Sequence, residues 1–311
     1  MKQVCIIMAT YQGEQYLAPQ IDSIIKNTYQ HIQLHIFDDG SSDSTFTIAK
    51  DYARRYPEKV HAIQNNENKG VIRNFLEAAA SLEADYYMYC DQDDIWLPEK
   101  IQKTLQFMKS QENDTANPRN TPVVVFADAA VTDANLAETA PSFQRQSGYN
   151  INALDLPHLL MENKLIGCTM MFNRAARDKL LRGELPSSIR MHDWWLALIG
   201  AAFGKVAYLD EPLLLYRQHE RNVIGGSSKG SYLKDRISHL KKDREALYAT
   251  MAQGKAFLSV YGEDLAPEQQ KILRLFAELP EKNWLARRFC ILKYGFLKSG
   301  PARNVGVLLL I

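Results

Sequence analysis

The sequence predicts an α/β fold, a mostly parallel sheet flanked by helices, followed by an all-helical C-terminal region. Over the first 130 residues, short continuous apolar runs alternate with amphipathic stretches, the pattern of βαβ units whose strands are covered on both faces. After residue 230 the pattern is helical throughout, with no further strand signal.

Strands are expected at 4–9, 34–37, 60–64, 86–90 and 123–127, each a run of apolar residues. Between them, Leu17, Ile21, Ile24 and Ile25 make one helical stripe, and Phe46, Ala49, Ala53 and Tyr56 a second. Phe75, Leu76, Ala79 and Leu82 make a third; Ile101, Leu105 and Met108 make a fourth, with Pro98 expected in its first turn. Residues 111–120 read as a polar loop and 141–150 as a mobile connection. A strand at 169–172, a helix at 193–202 and strands near 206–209 and 213–216 follow. Gly225-Gly226-Ser227-Ser228-Lys229-Gly230 reads as a flexible linker, and helices are expected at 231–254, 266–278 and 283–298.

The 311 residues suffice for one large domain or two unequal ones. A net charge of +1 argues against nucleic acid as a partner, but it hides an asymmetry. Residues 231–311 carry 14 Lys+Arg against 8 Asp+Glu, and beyond Glu281 there are six basic residues and no acidic one. The four cysteines, Cys5, Cys90, Cys168 and Cys290, lie far apart without metal spacing, which suits a reducing compartment. No signal peptide is expected, and no stretch reaches the ~20 apolar residues of a membrane span.

Ligands of an open parallel sheet bind beyond the carboxyl ends of its strands. There the sequence places Thr10-Tyr11, Asp38-Asp39-Gly40-Ser41, the Asn65–Gly70 stretch and Asp91-Gln92-Asp93-Asp94. Three carboxylates in four residues repel unless a cation or hydrogen bonds offset them; they suit a divalent ion, or an acidic helix cap. Asp38-Asp39 suits a pyrimidine pocket or an ordinary turn. His192-Asp193-Trp194-Trp195 reads either as a helix start with core tryptophans or as a general base beside indole walls for a sugar ring. Tyr216-Arg217-Gln218-His219 precedes the Gly-rich stretch, where a histidine could complete a metal site. Neither a dinucleotide fingerprint nor a P-loop is present.

In this order and spacing, over residues 4–222, these pieces resemble a family 2 glycosyltransferase with the GT-A fold. The carrying residues are Thr10-Tyr11, Asp38-Asp39-Gly40-Ser41-Ser42-Asp43, Asn68-Lys69-Gly70 with Arg73-Asn74, and Asp91-Gln92-Asp93-Asp94-Ile95-Trp96-Leu97-Pro98. Gly167-Cys168-Thr169, His192-Asp193-Trp194-Trp195 and Tyr216-Arg217-Gln218-His219 complete them. The last two clusters are most similar to those of rhamnosyltransferases of bacterial surface polysaccharide assembly, O-antigen among them.

The resemblance implies a GT-A domain over 1–224, with a nucleotide-binding half (1–130) and an acceptor half (131–224), then the linker 225–230 and a basic helical region, 231–311. It implies that Thr10, Tyr11 and Asp39 hold base and ribose, that Arg73 lies near the phosphates, and that Asp91 faces the ribose or metal. Asp93, with Asp91 and His219, would hold Mn²⁺ or Mg²⁺, and Asp193 would be the catalytic base. Gly167, Cys168, His192, Trp194 and Trp195 would form the acceptor and sugar pocket. The implied reaction is inverting, metal-dependent transfer of L-rhamnose from dTDP-L-rhamnose to a hydroxyl of a lipid-linked surface glycan, or of a hexose from a UDP-sugar. The partners are then a nucleotide-diphosphate sugar, a polyprenyl-linked oligosaccharide and, through residues 282–311, the anionic inner face of the bacterial membrane, for a cytoplasmic, peripheral enzyme. A helical cap with a solvated basic face is the other reading of that region. A nucleotidyltransferase would need a Gly-rich, basic loop after the first strand, which Thr10-Tyr11-Gln12-Gly13-Glu14 does not supply. A non-catalytic nucleotide-sugar sensor would not need acid run and base together.

Overall fold

The computed structural model describes residues 2–115, 120–219 and 234–311, with the backbone alone for 234–239; the expected linker 225–230 lies outside the described residues. The strands β1 (Val4–Thr10), β2 (Ile32–Asp38), β3 (Val60–Gln64) and β4 (Tyr86–Cys90) pair in parallel in the order β3-β2-β1-β4. Alternation along β1 divides it between two cores: Val4, Ile6 and Met8 face one, Cys5 and Ile7 the other. Helices α1 (Leu17–Ile25), α2 (Thr45–Arg55) and α4 (Lys100–Asn113) bury their stripes in the first core, and α3 (Val71–Ser81) buries Phe75 and Leu76 in the second.

Beyond β4 the sheet turns mixed. β8 (Met170–Asn173) runs antiparallel between β4 and β6 (Val123–Thr132), and β9 (Lys205–Arg217) runs parallel to β6. β5 (Ile95–Trp96) and β7 (Glu138–Ala140) add short antiparallel pairings to β9 and β6. The strands expected at 206–209 and 213–216 are therefore one strand. Its register on β6 shifts around Asp128 and Pro212, where a residue without an N–H interrupts the ladder.

Three local expectations need correction. Pro98 precedes the fourth helix, which starts at Lys100 and runs to Asn113, into the expected polar loop. Residues 141–150 contain a capped helix, α5 (Phe143–Ser147), in place of a mobile connection. The Ser142 hydroxyl accepts from Arg145 N and donates to Asp128, while buried Gln144 donates to Lys164 O at 2.9 Å. The expected helix 283–298 ends at Tyr294, because Gly295 takes φ 73° and closes it.

The remaining helices are α6 (Leu156–Met161), α7 (Arg174–Leu180), α8 (His192–Phe203), α9 (Lys234–Tyr261), α10 (Pro267–Ala277), α11 (Trp284–Tyr294) and α12 (Pro301–Leu310). Apolar on nearly all sides, α8 is buried between the sheet and the C-terminal helices. Leu247, Met251, Phe257 and Tyr261 of α9 and Phe276 of α10 share its hydrophobic cluster. Trp195 is fully buried there, edge-on to Phe257 at 5.0 Å and tilted against Tyr261 at 6.0 Å. Trp195 is thus core rather than a sugar-binding wall, since its ring is used up in joining α8 to α9. Trp195→Ala is expected to cost about 3–5 kcal/mol of stability; urea unfolding checks this, and an unchanged midpoint would contradict the packing role.

Candidate active site

The site is assembled at the carboxyl ends of β1, β2 and β4. Buried Asp38 accepts hydrogen bonds from Thr10 Oγ1 (3.1 Å), Ser41 N (3.0 Å) and Gln64 Nε2 (3.2 Å), locking three strand ends together. The neighbouring Asp39 accepts from Asn65 Nδ2 (2.8 Å), Lys69 N (2.9 Å) and Gly70 N (2.8 Å). That draws the loop before α3 onto the site, with Gly70 at φ 77° turning the chain into the helix. Asn74 extends the clamp: it accepts from Asn65 and donates to Phe37 O. The Gln92 amide pairs with both backbone groups of Tyr11, at 3.0 and 3.1 Å. A side chain at Gly13 would place Cβ 2.1 Å from Gln92 Oε1 and so displace the amide that pairs with Tyr11.

Between these loops and the start of α8 lies a cavity of about 410 Å³, lined among others by Tyr11, Asp39, Asp91, Asp93, His192 and Asp193. Burial, reinforced by the charges of Asp93 and Asp193, pushes the Asp91 carboxyl up to about 7. Asp93 Oδ2 lies 2.9 Å from His219 Nε2, and His219 stacks on Tyr16 with centroids 4.8 Å apart. Arg217 latches the end of β9 to the acidic run, its Nε donating to Asp93 O (2.7 Å) and its backbone N to Asp94 Oδ1 (3.2 Å). Asp94 turns the other way: it is buried, its Oδ2 is without a hydrogen-bond partner among the described residues, and burial holds its carboxyl well above the usual range.

Asp193 sits in the first turn of α8 and accepts from its own helix at Trp194 N (2.6 Å) and from Asn163 Nδ2 (3.0 Å). Burial outweighs these bonds and raises its carboxyl to about 7, a value suited to taking a proton near neutrality. Beside it His192 is kept neutral, pushed down to about 3 by burial, and stacks on Phe75 at 4.1 Å. Neither of its ring nitrogens has a hydrogen-bond partner among the described residues, though the residue lines the cavity. A Cβ on Gly167 would fall 2.6 Å from His192 Nε2, so this glycine makes room for the imidazole.

Residues 5–152 match the model of the family described as Glycosyl transferase family 2. The chain is 28% identical over 230 residues to the dTDP-rhamnosyl transferase RfbG of Shigella flexneri, covering 71% of this chain and 74% of that protein. Among solved structures, S. aureus TarS 1–349 in complex with UDP-GlcNAc superposes with a TM-score of 0.59 at 15% identity, over 99% of this chain and 84% of TarS. The mannosyltransferase PcManGT of Pyrobaculum calidifontis, in complex with GDP-Man and Mn²⁺, gives 0.54 at 14% identity, over 94% and 72%. Residues 5–152 carry a family 2 glycosyltransferase domain. Its fold is GT-A.

Thr10, Tyr11, Asp39, Asp91, Asp93, Gly167, His192 and Asp193 converge on one cavity. His219 joins them through Asp93. Four expected site residues stand elsewhere. Trp195 is in the core, and Cys168 is wholly buried beside Asp94 and Asp91. Trp194 lines an adjoining cavity, with its Nε1 donating to Leu159 O at 2.6 Å. Arg73 points off the outer face of α3, paired with Glu77 at 3.2 Å, and lines a neighbouring cavity that shares Gly70 and Val71 with the site. On α3 the position that faces inward is Asn74, one residue later.

The donor chemistry can be tested against the residues for a divalent ion. Among the described residues, one compact grouping of ligand atoms is Asp91, Asp94 and Cys168, all within 4.8 Å. Its thiol is held well above the usual range by burial and by both aspartates, so it stays protonated and is a poor ligand for a hard cation. Asp91 and Asp93 line the cavity and His219 Nε2 lies 2.9 Å from Asp93, so the atom types suit Mn²⁺ or Mg²⁺, although these three do not form a compact ligand grouping among the described residues. Gln92, Asn163 and Arg217 escaped the sequence-based assignment of roles. Gln92 and Arg217 lie inside quoted motifs, but nothing in the sequence marks Asn163 as the partner of Asp193.

Proposed function

We propose that the chain is an inverting glycosyltransferase that moves a sugar from a nucleoside diphosphate to a glycan hydroxyl, with Asp193 as the base. The observation that carries this is Asp193, a buried carboxyl raised to about 7, sharing one cavity with Asp39, Asp91 and Asp93. Tyr11 and Asp39 line the end of the cavity assigned to the nucleoside, and Asp91 and Asp93 the end assigned to the diphosphate. Asp93, Asp91 and His219 would hold Mn²⁺ or Mg²⁺, which when bound offsets the charge of the departing diphosphate. Asp193 accepts the proton of the acceptor hydroxyl as its oxygen bonds to C1 and the C1–O bond to the β-phosphate breaks. Attack opposite the leaving group inverts the anomeric centre. Asn163 and Trp194 N aim the Asp193 carboxylate, and His192 offers its neutral imidazole to a sugar hydroxyl.

The likeness to RfbG favours dTDP-L-rhamnose as donor over a UDP-hexose. Incubation of dTDP-, UDP- and GDP-sugars with Mn²⁺ is expected to give fastest hydrolysis of dTDP-rhamnose; preferential turnover of a UDP-sugar would overturn the sugar assignment while keeping the class.

We further place the acceptor at a membrane surface, on the inner leaflet. No described helix is long and apolar enough to cross a membrane. Helix α11 instead exposes Trp284, Leu285, Phe289 and Leu292, with Arg288 stacked on Trp284 at 3.9 Å and Lys293 near Phe289 at 5.4 Å. An apolar stripe flanked by cations suits insertion among anionic headgroups. Co-sedimentation with liposomes is expected to need anionic lipid and to drop about tenfold, or roughly 1.4 kcal/mol, in Trp284→Ser/Phe289→Ser. Binding that ignores lipid charge would count against the assignment.

A further inference from the structure

A second cavity, of about 680 Å³, lies between the α5–α6–α8 side of the glycosyltransferase domain and helices α9 and α12. It adjoins the cavity already described: Ile166, Met191 and Tyr216 line both. Asn163, which donates to the Asp193 carboxylate at 3.0 Å, also lines it. A molecule entering here approaches the base from the side away from the nucleoside loops.

The walls combine aromatic rings (Phe143, Tyr149 and Trp194) with three cations, Arg190, Lys298 and Arg303. Two of the cations are engaged. Arg303 pairs with Glu162 at 3.0 Å and covers the Tyr149 ring at 5.1 Å, and Arg190 donates to Thr250 Oγ1 at 3.0 Å. Glu162 is itself occupied by Arg303 and by Ser299 N (2.7 Å). Asp243 stands at the exposed rim. The Lys298 ammonium, in contrast, has no hydrogen-bond or ion-pair partner among the described residues, although its backbone N is fixed by Asn304 Oδ1 at 2.7 Å. Burial, with Arg303 and Arg190 adding to it, holds that ammonium below its ordinary range against the opposing charges of Glu162 and Asp243. An ammonium kept half-buried without a partner costs stability unless an anion reaches it. Aromatic walls beside such a cation suit a sugar ring carrying a phosphate, the ring faces packing on the aromatics and the phosphate taking charge-assisted bonds.

We propose that this cavity is the acceptor subsite and that it takes a glycosyl phosphate, with the phosphate at Lys298 and the sugar hydroxyl presented to Asp193. The proposal rests on Asp193 being the base. It makes the C-terminal helices part of the substrate site, since Lys298 and Arg303 come from the segments around α12.

The test is titration of N-acetylglucosamine 1-phosphate against neutral N-acetylglucosamine on the full chain, with Mn²⁺ and dTDP or UDP filling the donor cavity. Wild type is expected to prefer the phosphorylated sugar at least tenfold. Lys298→Gln should lose that preference, and Lys298→Arg should keep it. Equal binding of the two sugars by wild type, or a preference that survives in Lys298→Gln, overturns the proposal. Inorganic phosphate that competes as strongly as the sugar phosphate overturns it too, by showing a plain anion site. A failure of the glycosyltransferase reading is seen separately, as absence of nucleoside-diphosphate binding in the same titrations.

Discussion

Asp193→Asn is expected to lower sugar transfer by roughly 10²- to 10⁴-fold, the usual contribution of a positioned base, while donor affinity stays within a few-fold of wild type. The substitution keeps the shape and the hydrogen bond to Trp194 N, so the helix start should survive. What disappears is a group that can take the acceptor's proton. Single-turnover transfer and donor titration, measured on the same preparation, separate the two effects. Near-wild-type transfer would remove Asp193 from the mechanism. The pH profile gives a second reading of the same group. Because burial raises this carboxyl to about 7, the base form is scarce in acid. Transfer should therefore climb about tenfold per pH unit below pH 7 and level off above it. A profile already flat from pH 5 would mean that another group carries the proton.

Asp93→Ala is expected to abolish the increment that Mn²⁺ adds to donor affinity, about tenfold or more and so at least ~1.4 kcal/mol. Asp93 faces the cavity and pairs with His219, and its charge helps to raise both Asp91 and Asp94. Removing it would take away the proposed hard oxygen ligand and the carboxylate that His219 Nε2 meets at 2.9 Å. Calorimetry of donor binding with and without Mn²⁺ checks this; an unchanged metal-dependent increment would refute the role of Asp93. Asp94→Asn provides the contrast, since Asp94 faces Arg217 N and the buried Cys168 side. It should alter stability more than metal dependence.

The parallel half of the fold was legible because its strands are buried on both faces and its helices carry regular stripes. The expected strands 60–64 and 86–90 match β3 and β4 to the residue. The second half was harder to read. Lys205–Arg217 looks like two strands because Pro212 interrupts it, and only pairing with β6 makes it one. Helix α5 looks like a loop because its five residues carry too little periodicity, and its order comes from Asp128 and Lys164 O.

The sequence by itself determined the chemistry-bearing residue types and their order: Asp39 after β2, Asp91 and Asp93 after β4, and Asp193 at a helix start. That order is enough because strand ends in a parallel sheet must fall on one edge. Only the tertiary structure decided which neighbours serve the site. Asn74 faces inward where Arg73 faces out, Trp194 is parted from Trp195, and Asn163 is brought to Asp193 across 30 residues. Adjacent helical positions point about 100° apart, so a motif names both residues while packing chooses between them. The acidic run shows the same division: Asp93 turns to His219 in the cavity, and Asp94 to the interior.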